Sequence, residues 1–242
     1  MTGVQTCALP ISFFRRNIRN RLYKKATAVV FQTEGAKRYF SKDIQDKGYV
    51  IGNPLTENLP RWREEGHNKI IITACRLDKQ KNVQLLIRAF SRFLIVHSEY
   101  KLQICGKGPL EQKLKELCTE LDISNNVEFL GFRKDVHELM TKAEMFVLSS
   151  NYEGISNSML EALAIGIPTV CTDTPPGGAA QYIKNGENGI LIPVGDEKSL
   201  LNAMEKISEN KMLRKKYSNN ATKIRVALKI DVIYEKWKEL II

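Results

Sequence analysis

Two glutamates mark the stretch of the chain best suited to chemistry, residues 151–168, NYEGISNSMLEALAIGIP. Glu153 stands before a run with helical periodicity, and Glu161 stands inside that run. In a helix, their spacing would correspond to about two turns and a rotation of about 80° around the axis. Carboxylates placed in this way can accept hydrogen bonds from hydroxyls at two ends of one ligand. The alternative for Glu161 is a capping box with Ser158, which would only stabilise the start of the helix.

The apolar run at residues 69–77 leads into the turn RLDKQK, in which Arg76 and Lys81 are the two candidate cations. Arg76 and Lys81 are five positions apart. A guanidinium can bind phosphate oxygens through two hydrogen bonds, and a lysine adds a compact positive charge. The pair predicts a phosphate-binding turn, with two solvated turn residues as the alternative.

Further turns bring glycines and exposed groups to the ends of four other apolar runs. Their candidate residues are Gly106 and Gly108, Phe132 and Arg133, Gly154 with Ile155 and Ser156, and Gly177 with Gly178. Glycine lets a backbone approach a ligand closely, and the free N–H groups at a helix start attract anions. A nucleotide sugar, with its base, ribose, diphosphate and hexose, would use all these groups. The glycines alone are weak evidence, because GKGP is not the GxGxxG of dinucleotide-binding proteins.

The elements that must position these residues alternate strictly from residue 70 onward. The predicted strands are 69–77, 100–108, 127–132, 145–151, 168–173 and 189–194, and the predicted helices are 82–97, 109–121, 135–143, 177–183 and one within 151–168. This alternation predicts an α/β fold with a Rossmann-like, doubly wound parallel sheet. Because ligands bind beyond the carboxyl ends of such strands, the candidate residues should meet on one rim.

Composition excludes several classes of protein. The net charge of +10 is concentrated in residues 1–69, with 13 Lys/Arg against 6 Asp/Glu, which indicates a local basic surface. We expect no nucleic-acid partner. The five cysteines lack a CxxC motif and the three histidines stand alone, so no metal site is predicted and a cytoplasmic location is favoured. No apolar run approaches the roughly 20 residues of a membrane-spanning helix.

The first part of the chain follows another pattern. Residues 25–40 indicate one strand and one helix, and 49–55 indicate a strand that leads into a linker, which is too little for a complete second sheet. The basic run 12–26 places Phe14, Ile18 and Leu22 on one helical face. We expect this face to pack against another domain, with peripheral contact to an anionic inner membrane face as the alternative.

Taken in order, these segments resemble the C-terminal, donor-binding domain of GT-B glycosyltransferases of family 4. The resemblance rests on ACRLDKQKNVQLLIRAF, KLQICGKGPLEQKL, VEFLGF, EGISNSMLE with its Glu-x7-Glu pattern, EALAIGIPTVCTD and GILIPVGD. The fold it implies is the C-terminal half of a GT-B protein. One departure is Cys75, which stands where the family usually has glycine; we expect it to be tolerated, with tighter space near the phosphates.

The resemblance also implies roles for the candidate residues. Glu161 would bind the ribose hydroxyls, and Glu153 would lie beside the transferred sugar and its phosphate. Arg76 and Lys81 would bind the diphosphate, helped by the N–H groups near Ile155 and Ser156, and the loop after VEFLGF would touch the base. Such enzymes retain the anomeric configuration without a metal or cofactor. The expected donor is a UDP-sugar, and the expected acceptor is a glycan or lipid-linked saccharide of bacterial surface polysaccharide synthesis.

The same resemblance divides the chain into three parts. Residues 1–11 are expected to be translated sequencing-adaptor sequence, 12–55 a remnant of the N-terminal acceptor domain, and 56–242 the nucleotide-sugar-binding domain. We therefore expect donor binding with little turnover by this chain alone. A non-catalytic nucleotide-binding module and a GT-B nucleotide-sugar epimerase are the alternatives, and a nicotinamide oxidoreductase is the weakest.

Overall fold

The computed structural model describes residues 13–241, so the segment expected to be adaptor sequence lies outside the described residues. The strands are β1 (Val29–Phe31), β2 (Gly48–Val50), β3 (Ile70–Ala74), β4 (Lys101–Cys105), β5 (Val127–Gly131), β6 (Met145–Leu148), β7 (Thr169–Thr172) and β8 (Ile190–Ile192). The helices are α1 (Phe13–Lys25), α2 (Glu34–Arg38), α3 (Lys42–Gln45), α4 (Val83–Phe93), α5 (Glu111–Glu120), α6 (Val136–Lys142), α7 (Asn157–Ile165), α8 (Gly178–Tyr182), α9 (Glu197–Ser208), α10 (Lys211–Ala221), α11 (Ile224–Ala227) and α12 (Ile230–Ile241). A 3-10 turn covers Ser124–Asn126.

The main sheet has six parallel strands in the order β5-β4-β3-β6-β7-β8. The chain moves outward in one direction from β3 to β5 and then returns to β6, beside β3. This order confirms the predicted Rossmann-like, doubly wound sheet. It also creates a crevice between the carboxyl ends of β3 and β6, where the connections depart to opposite sides.

Alternating side chains of the central strands pack into two hydrophobic cores, one on each face of the sheet. In β6, Met145 and Val147 pack with α4, α5 and α9, whereas Phe146 and Leu148 pack with α6 and α7. Such strands have continuous apolar sequences because both faces are covered by helices. The strands are therefore rigid supports for the loops at their carboxyl ends.

The strands beside the crevice are shorter than predicted. The apolar run 69–77 forms a strand over Ile70–Ala74, and 145–151 does so over Met145–Leu148. Beyond these points the two loops bind each other: Ser149 Oγ donates to the backbone carbonyls of Lys81 and Asn82, at 3.3 and 3.0 Å. The hydrogen bonds that would continue the sheet are thus replaced by contacts between loops.

The N-terminal piece has a small parallel sheet of β1 and β2, with a core that includes Phe31, Phe40 and Ile44. Helix α3 was not predicted. In α1 the predicted apolar residues Ile18 and Leu22 are exposed, while the buried Arg19 lies 4.5 Å from the ring centre of Phe40. Within this chain α1 packs through a different face, and contact of the Ile18 and Leu22 face with another domain stays a prediction. None of the helices within residues 13–241 is long and apolar enough to span a bilayer.

Candidate active site

An open cavity of about 430 Å³ lies at the carboxyl ends of β3 and β6, where the strand order places a ligand crevice. Its lining consists of Gln32, Asn53, Ala74, Cys75, Arg76, Gln80, Lys81, Glu153, Ile155, Ser156, Asn157 and Ser158. Five predicted site residues, Arg76, Lys81, Glu153, Ile155 and Ser156, thus meet in one place. This volume lies within the usual range for small-molecule sites.

The centre of the cavity wall is an ion pair between Lys81 Nζ and Glu153 Oε2. Their side chains are only 14% and 15% exposed, so solvent screens the pair weakly. Gln80 Nε2 donates to the backbone carbonyl of Tyr152 at 3.1 Å and to Glu153 Oε1 at 3.4 Å. The glutamate is therefore fixed by two side chains from the opposite loop.

Backbone and amide contacts hold these two loops in register. The N–H of Asn151 donates to the carbonyl of Gln80 at 2.7 Å, and its side-chain amide donates to the carbonyl of Lys79 at 2.9 Å. Asn82 Nδ2 donates to Asn151 Oδ1 at 2.9 Å. Because its side-chain amide both donates and accepts hydrogen bonds, Asn151 can bind several residues of the opposite loop at once. The contact between Lys81 and Glu153 therefore has a rigid frame.

Arg76 contributes a second cation with more freedom. Its side chain is 75% exposed and binds Asp78 at 2.6 Å. Asp78 also accepts from the backbone N–H of Lys81 at 3.2 Å. An exposed guanidinium can exchange this partner for a ligand oxyanion at small cost. The site therefore has one largely buried and one exposed positive charge.

Helix α7 directs its first turn at the cavity, and Ser156 caps it by accepting from the N–H of Met159 at 3.4 Å. The capping box between Ser158 and Glu161 is therefore wrong, because the cap lies two residues earlier. The predicted 80° rotation is also wrong, since Glu153 lies in the loop before the helix. Free N–H groups at this end of the helix favour a bound anion.

Glu161 lies one turn beyond Asn157 on the same side of α7 and has two partners. Its Oε2 is 3.0 Å from His137 Nε2, and its Oε1 accepts from Thr56 Oγ1 at 3.1 Å. His67 and His97, which are also isolated in the sequence, likewise lie within 4 Å of glutamates in the fold. Sequence reasoning missed this role of His137 because 24 positions separate it from Glu161.

The predicted glycines allow loops to approach each other and do not line the cavity. A Cβ on Gly106, whose φ is +132°, would lie 1.8 Å from the carbonyl oxygen of Cys75, and one on Gly108 would lie 2.3 Å from that of Leu77. A Cβ on Gly178 would lie 1.5 Å from the carbonyl oxygen of Gly154. These contacts fix the loops that border the site.

Gly177 forms an open left-handed turn with φ of +83°, which L side chains rarely adopt. Phe132 and Arg133 follow β5, the edge strand of the sheet, outside the cavity lining. Phe132 is 72% exposed, and Arg133 binds Asp135 through two bonds of 2.7 and 2.6 Å. The hydrogen bonds from Arg133 lower the pKa of Asp135.

Cys75 is part of the lining, where burial raises the pKa of its thiol to about 11. It therefore presents a neutral group to the cavity at neutral pH. Among residues 13–241, no group of three or more His, Cys, Asp or Glu side chains is arranged to hold a metal ion.

The N-terminal piece supplies the facing part of the cavity wall. Gln32 Nε2 donates to Asn53 Oδ1 at 2.8 Å, and Asn53 Nδ2 donates to Asn157 Oδ1 at 2.7 Å. The backbones also meet closely: a Cβ on Gly35 would lie 1.7 Å from the carbonyl oxygen of Pro176. Sequence reasoning missed Gln32 as a lining residue. For Asn53, the Asn-Pro pair that marks the linker was a feature that could have drawn attention to it.

Comparisons with known proteins agree with this fold. In Anabaena HepE the matching structures have TM-scores of 0.87 for the UDP complex and 0.84 for the UDP-glucose complex, at 22% identity. These matches cover 98% and 95% of this chain and 70% and 68% of that protein. A mutant of S. aureus TarM, in complex with UDP and other ligands, gives 0.86 at 21% identity, covering 99% of this chain and 50% of TarM.

Sequence comparison identifies the family. The N-acetylgalactosamine-N,N'-diacetylbacillosaminyl-diphospho-undecaprenol 4-alpha-N-acetylgalactosaminyltransferase of Campylobacter jejuni is 36% identical over 175 residues, 72% of this chain and 47% of the relative. The chain thus spans about half the length of this relative and of TarM. The family model for glycosyl transferases group 1 matches residues 56–224. This chain belongs to the glycosyl transferases group 1 family and has the fold of a GT-B glycosyltransferase domain.

Proposed function

We propose that the chain is the donor-binding part of a retaining family 4 glycosyltransferase that uses a UDP-sugar. The observation that carries the proposal is the meeting of Arg76, Lys81, Glu153 and the start of α7 in one cavity at the strand crossover. Two cations and a helix N-terminus provide the positive potential that a diphosphate requires. The carboxylate beside them suits hydroxyls of a sugar.

The diphosphate lies, in this proposal, between Arg76, Lys81 and the first N–H groups of α7. As the bond between sugar and phosphate breaks, negative charge develops on the leaving diphosphate. Cations that are already in place stabilise that charge without reorganising. Glu153 borders the transferred sugar and stabilises the positive charge that develops at its reacting carbon. We assign no metal or cofactor to these steps.

The base and ribose extend from the diphosphate toward Glu161. The ribose hydroxyls donate to this carboxylate, which lies one helical turn from the lining residues Asn157 and Ser158. The base reaches toward Phe132 and Arg133. The loops that contain Gly106, Gly108, Gly154, Gly177 and Gly178 surround the ligand.

Relatives support both the donor and the setting. HepE was crystallised with UDP-glucose, and the Campylobacter relative is named as a transferase that acts on a diphospho-undecaprenol saccharide. We propose a glycan or lipid-linked acceptor in bacterial surface polysaccharide synthesis. The exposed face of Ile18 and Leu22, with basic neighbours, is compatible with contact to an anionic cytoplasmic membrane surface.

Turnover by the chain alone should be low. Of the cavity-lining residues, Gln32 and Asn53 come from the N-terminal piece, and the others belong to the α/β domain. Both are amides, which cannot act as a general acid or base for an acceptor hydroxyl at neutral pH. We therefore expect donor binding without efficient transfer.

Calorimetric titration with UDP and a panel of UDP-sugars tests the proposal. We expect saturable binding by the wild type and a loss of about tenfold or more for Glu161→Ala, because hydrogen bonds to a charged group are removed. Equal binding of UDP by both proteins would refute the ribose contact. Robust sugar transfer to a lipid-linked acceptor by this chain alone would refute the expectation of low turnover.

A further inference from the structure

The carboxylate of Glu161 is held at both of its oxygens. His137, on α6, approaches Oε2 to 3.0 Å, and Thr56, in the segment that enters the α/β domain, donates to Oε1 at 3.1 Å. The two contacts come from parts of the chain 24 and 105 positions away. They therefore depend on the assembled fold and not on helix α7 alone.

The direction of the histidine contact follows from chemistry. A carboxylate only accepts hydrogen bonds, so His137 must donate through Nε2. The His137 and Glu161 side chains are 24% and 21% exposed, whereas Thr56 is an exposed residue. Water can replace the Thr56 hydroxyl easily, so His137 is the stronger restraint on the carboxylate.

The remaining capacity of the carboxylate matches a diol. Each oxygen accepts about two hydrogen bonds, and on each oxygen the protein uses one. One acceptor position therefore remains on each oxygen, which suits the two hydroxyl donors of a cis-diol. A free glutamate would have to lose rotamer freedom before it could bind both hydroxyls together.

We propose that His137 is a positioning residue, which orients Glu161 so that both carboxylate oxygens meet the 2′- and 3′-hydroxyls of a ribose. This inference rests on the proposed binding of a uridine nucleotide and assigns a role that the Glu-x7-Glu pattern does not contain. His137 touches the carboxylate and not the ligand, so its effect depends on the ribose hydroxyls. Removing those hydroxyls should therefore remove the effect of His137.

The test compares UDP with 2′,3′-dideoxyuridine diphosphate by calorimetry. We expect the wild type to bind UDP about tenfold or more tightly than the dideoxy analogue. His137→Ala should bind UDP about tenfold more weakly and the analogue with unchanged affinity. His137→Gln retains an N–H donor and should recover UDP binding to within about threefold of the wild type.

Glu138→Ala is the matched control, because Glu138 is the exposed neighbour of His137 on α6. It should bind both ligands as the wild type does. An equal loss for both ligands in His137→Ala would show a merely structural role and overturn the proposal, as would unchanged UDP binding. If the wild type itself failed to discriminate between the ligands, the ribose contact in the proposed function would fail first, and this inference with it.

Discussion

The two ends of the main sheet contain glutamates paired with cations, in opposite surroundings. At the carboxyl ends, Lys81 and Glu153 border an open cavity. At the amino ends, Glu144 directly precedes β6, and its side chain is 1% exposed. It accepts from the hydroxyl of Tyr100 at 2.5 Å and lies 3.6 Å from Arg214. Similar residue types thus face a solvent-filled space at one end and a packed interior at the other.

Glu64 and His67 complete this buried cluster at the amino ends, which we call the sealed cluster. Arg214 binds Glu64 at 2.8 Å, and His67 Nδ1 lies 3.5 Å from Glu144 Oε2. Burial opposes the charge on Arg214, but its hydrogen bond to Glu64 and the nearby Glu144 outweigh this and raise its pKa. The difference between the ends indicates that a charged pair can bind ligands only where it keeps access to solvent. Without access, each group of the pair satisfies a charge that would otherwise be buried alone.

The strongest test of this contrast is Arg214→Met, which leaves two carboxylates buried without their cation. We expect a loss of about 3–5 kcal/mol in the free energy of unfolding, measured by urea denaturation. Arg92→Met removes an exposed arginine that pairs with Glu197 at 3.2 Å, and it should cost less than about 1 kcal/mol. Similar losses of unfolding free energy in Arg214→Met and Arg92→Met would contradict the view that burial makes the cluster at the amino ends energetically different.

At the open end, Lys81→Met should affect binding more than stability. We expect UDP affinity to fall about 10- to 100-fold, because a charge-assisted hydrogen bond to phosphate is lost. Glu153 lines the open cavity and keeps its contact with Gln80, so we expect the free energy of unfolding to fall by about 1–2 kcal/mol, less than for Arg214→Met. The control is Lys79→Met, which removes a lysine of the same turn that does not line this cavity. Equal losses of UDP affinity in the two variants would indicate only a general electrostatic attraction of the turn for the diphosphate.

Periodicity predicted much of this architecture, because the strands at 145–151 and 168–173 have apolar sequences that reflect burial on both faces. It also placed Arg76 and Glu153 on one rim, since both follow neighbouring parallel strands. Pairing across loops could not be read in this way. The partner of Glu153 lies 72 positions away, and only the strand order brings Lys81 to it.

Tyr100→Phe tests the sealed cluster through pH. Burial, followed by the hydrogen bond to Glu144, raises the pKa of Tyr100, so the folded protein keeps this proton when the unfolded chain loses it above about pH 10. Stability conferred by the hydroxyl is therefore present below that pH and declines as pH rises. We expect a cost of about 1.5 kcal/mol at pH 8, and a smaller cost at pH 10.5, by urea denaturation.

Tyr217→Phe is the control for that measurement. The hydroxyl of Tyr217 is buried and has no hydrogen-bond partner among the described residues, so its removal should cost little at pH 8. If Tyr217→Phe were as destabilising as Tyr100→Phe, the bond to Glu144 would not be the source of the effect.

The smallest expected effect concerns Cys75, at the position where the resemblance leads us to expect glycine. Because its thiol is neutral below its pKa of about 11, it does not repel a diphosphate. Cys75→Gly should change UDP affinity by less than about threefold, measured by calorimetry, with about 1 kcal/mol lost from backbone freedom. A gain in affinity above about tenfold would show that the side chain crowds the open end.

The close contact at Gly35 bears on the distance between the two walls of the cavity. The N-terminal piece rests against the carbonyl of Pro176 with room for a hydrogen atom and none for a methyl group. We therefore expect Gly35→Ala to push the N-terminal piece away from Pro176 and to increase the distance between the cavity walls that carry Gln32 and Asn157. The contact between Gly35 and Pro176, which lies outside the cavity lining, would then control the width of the cavity. A substitution there could alter how a ligand fits without changing any residue of the lining.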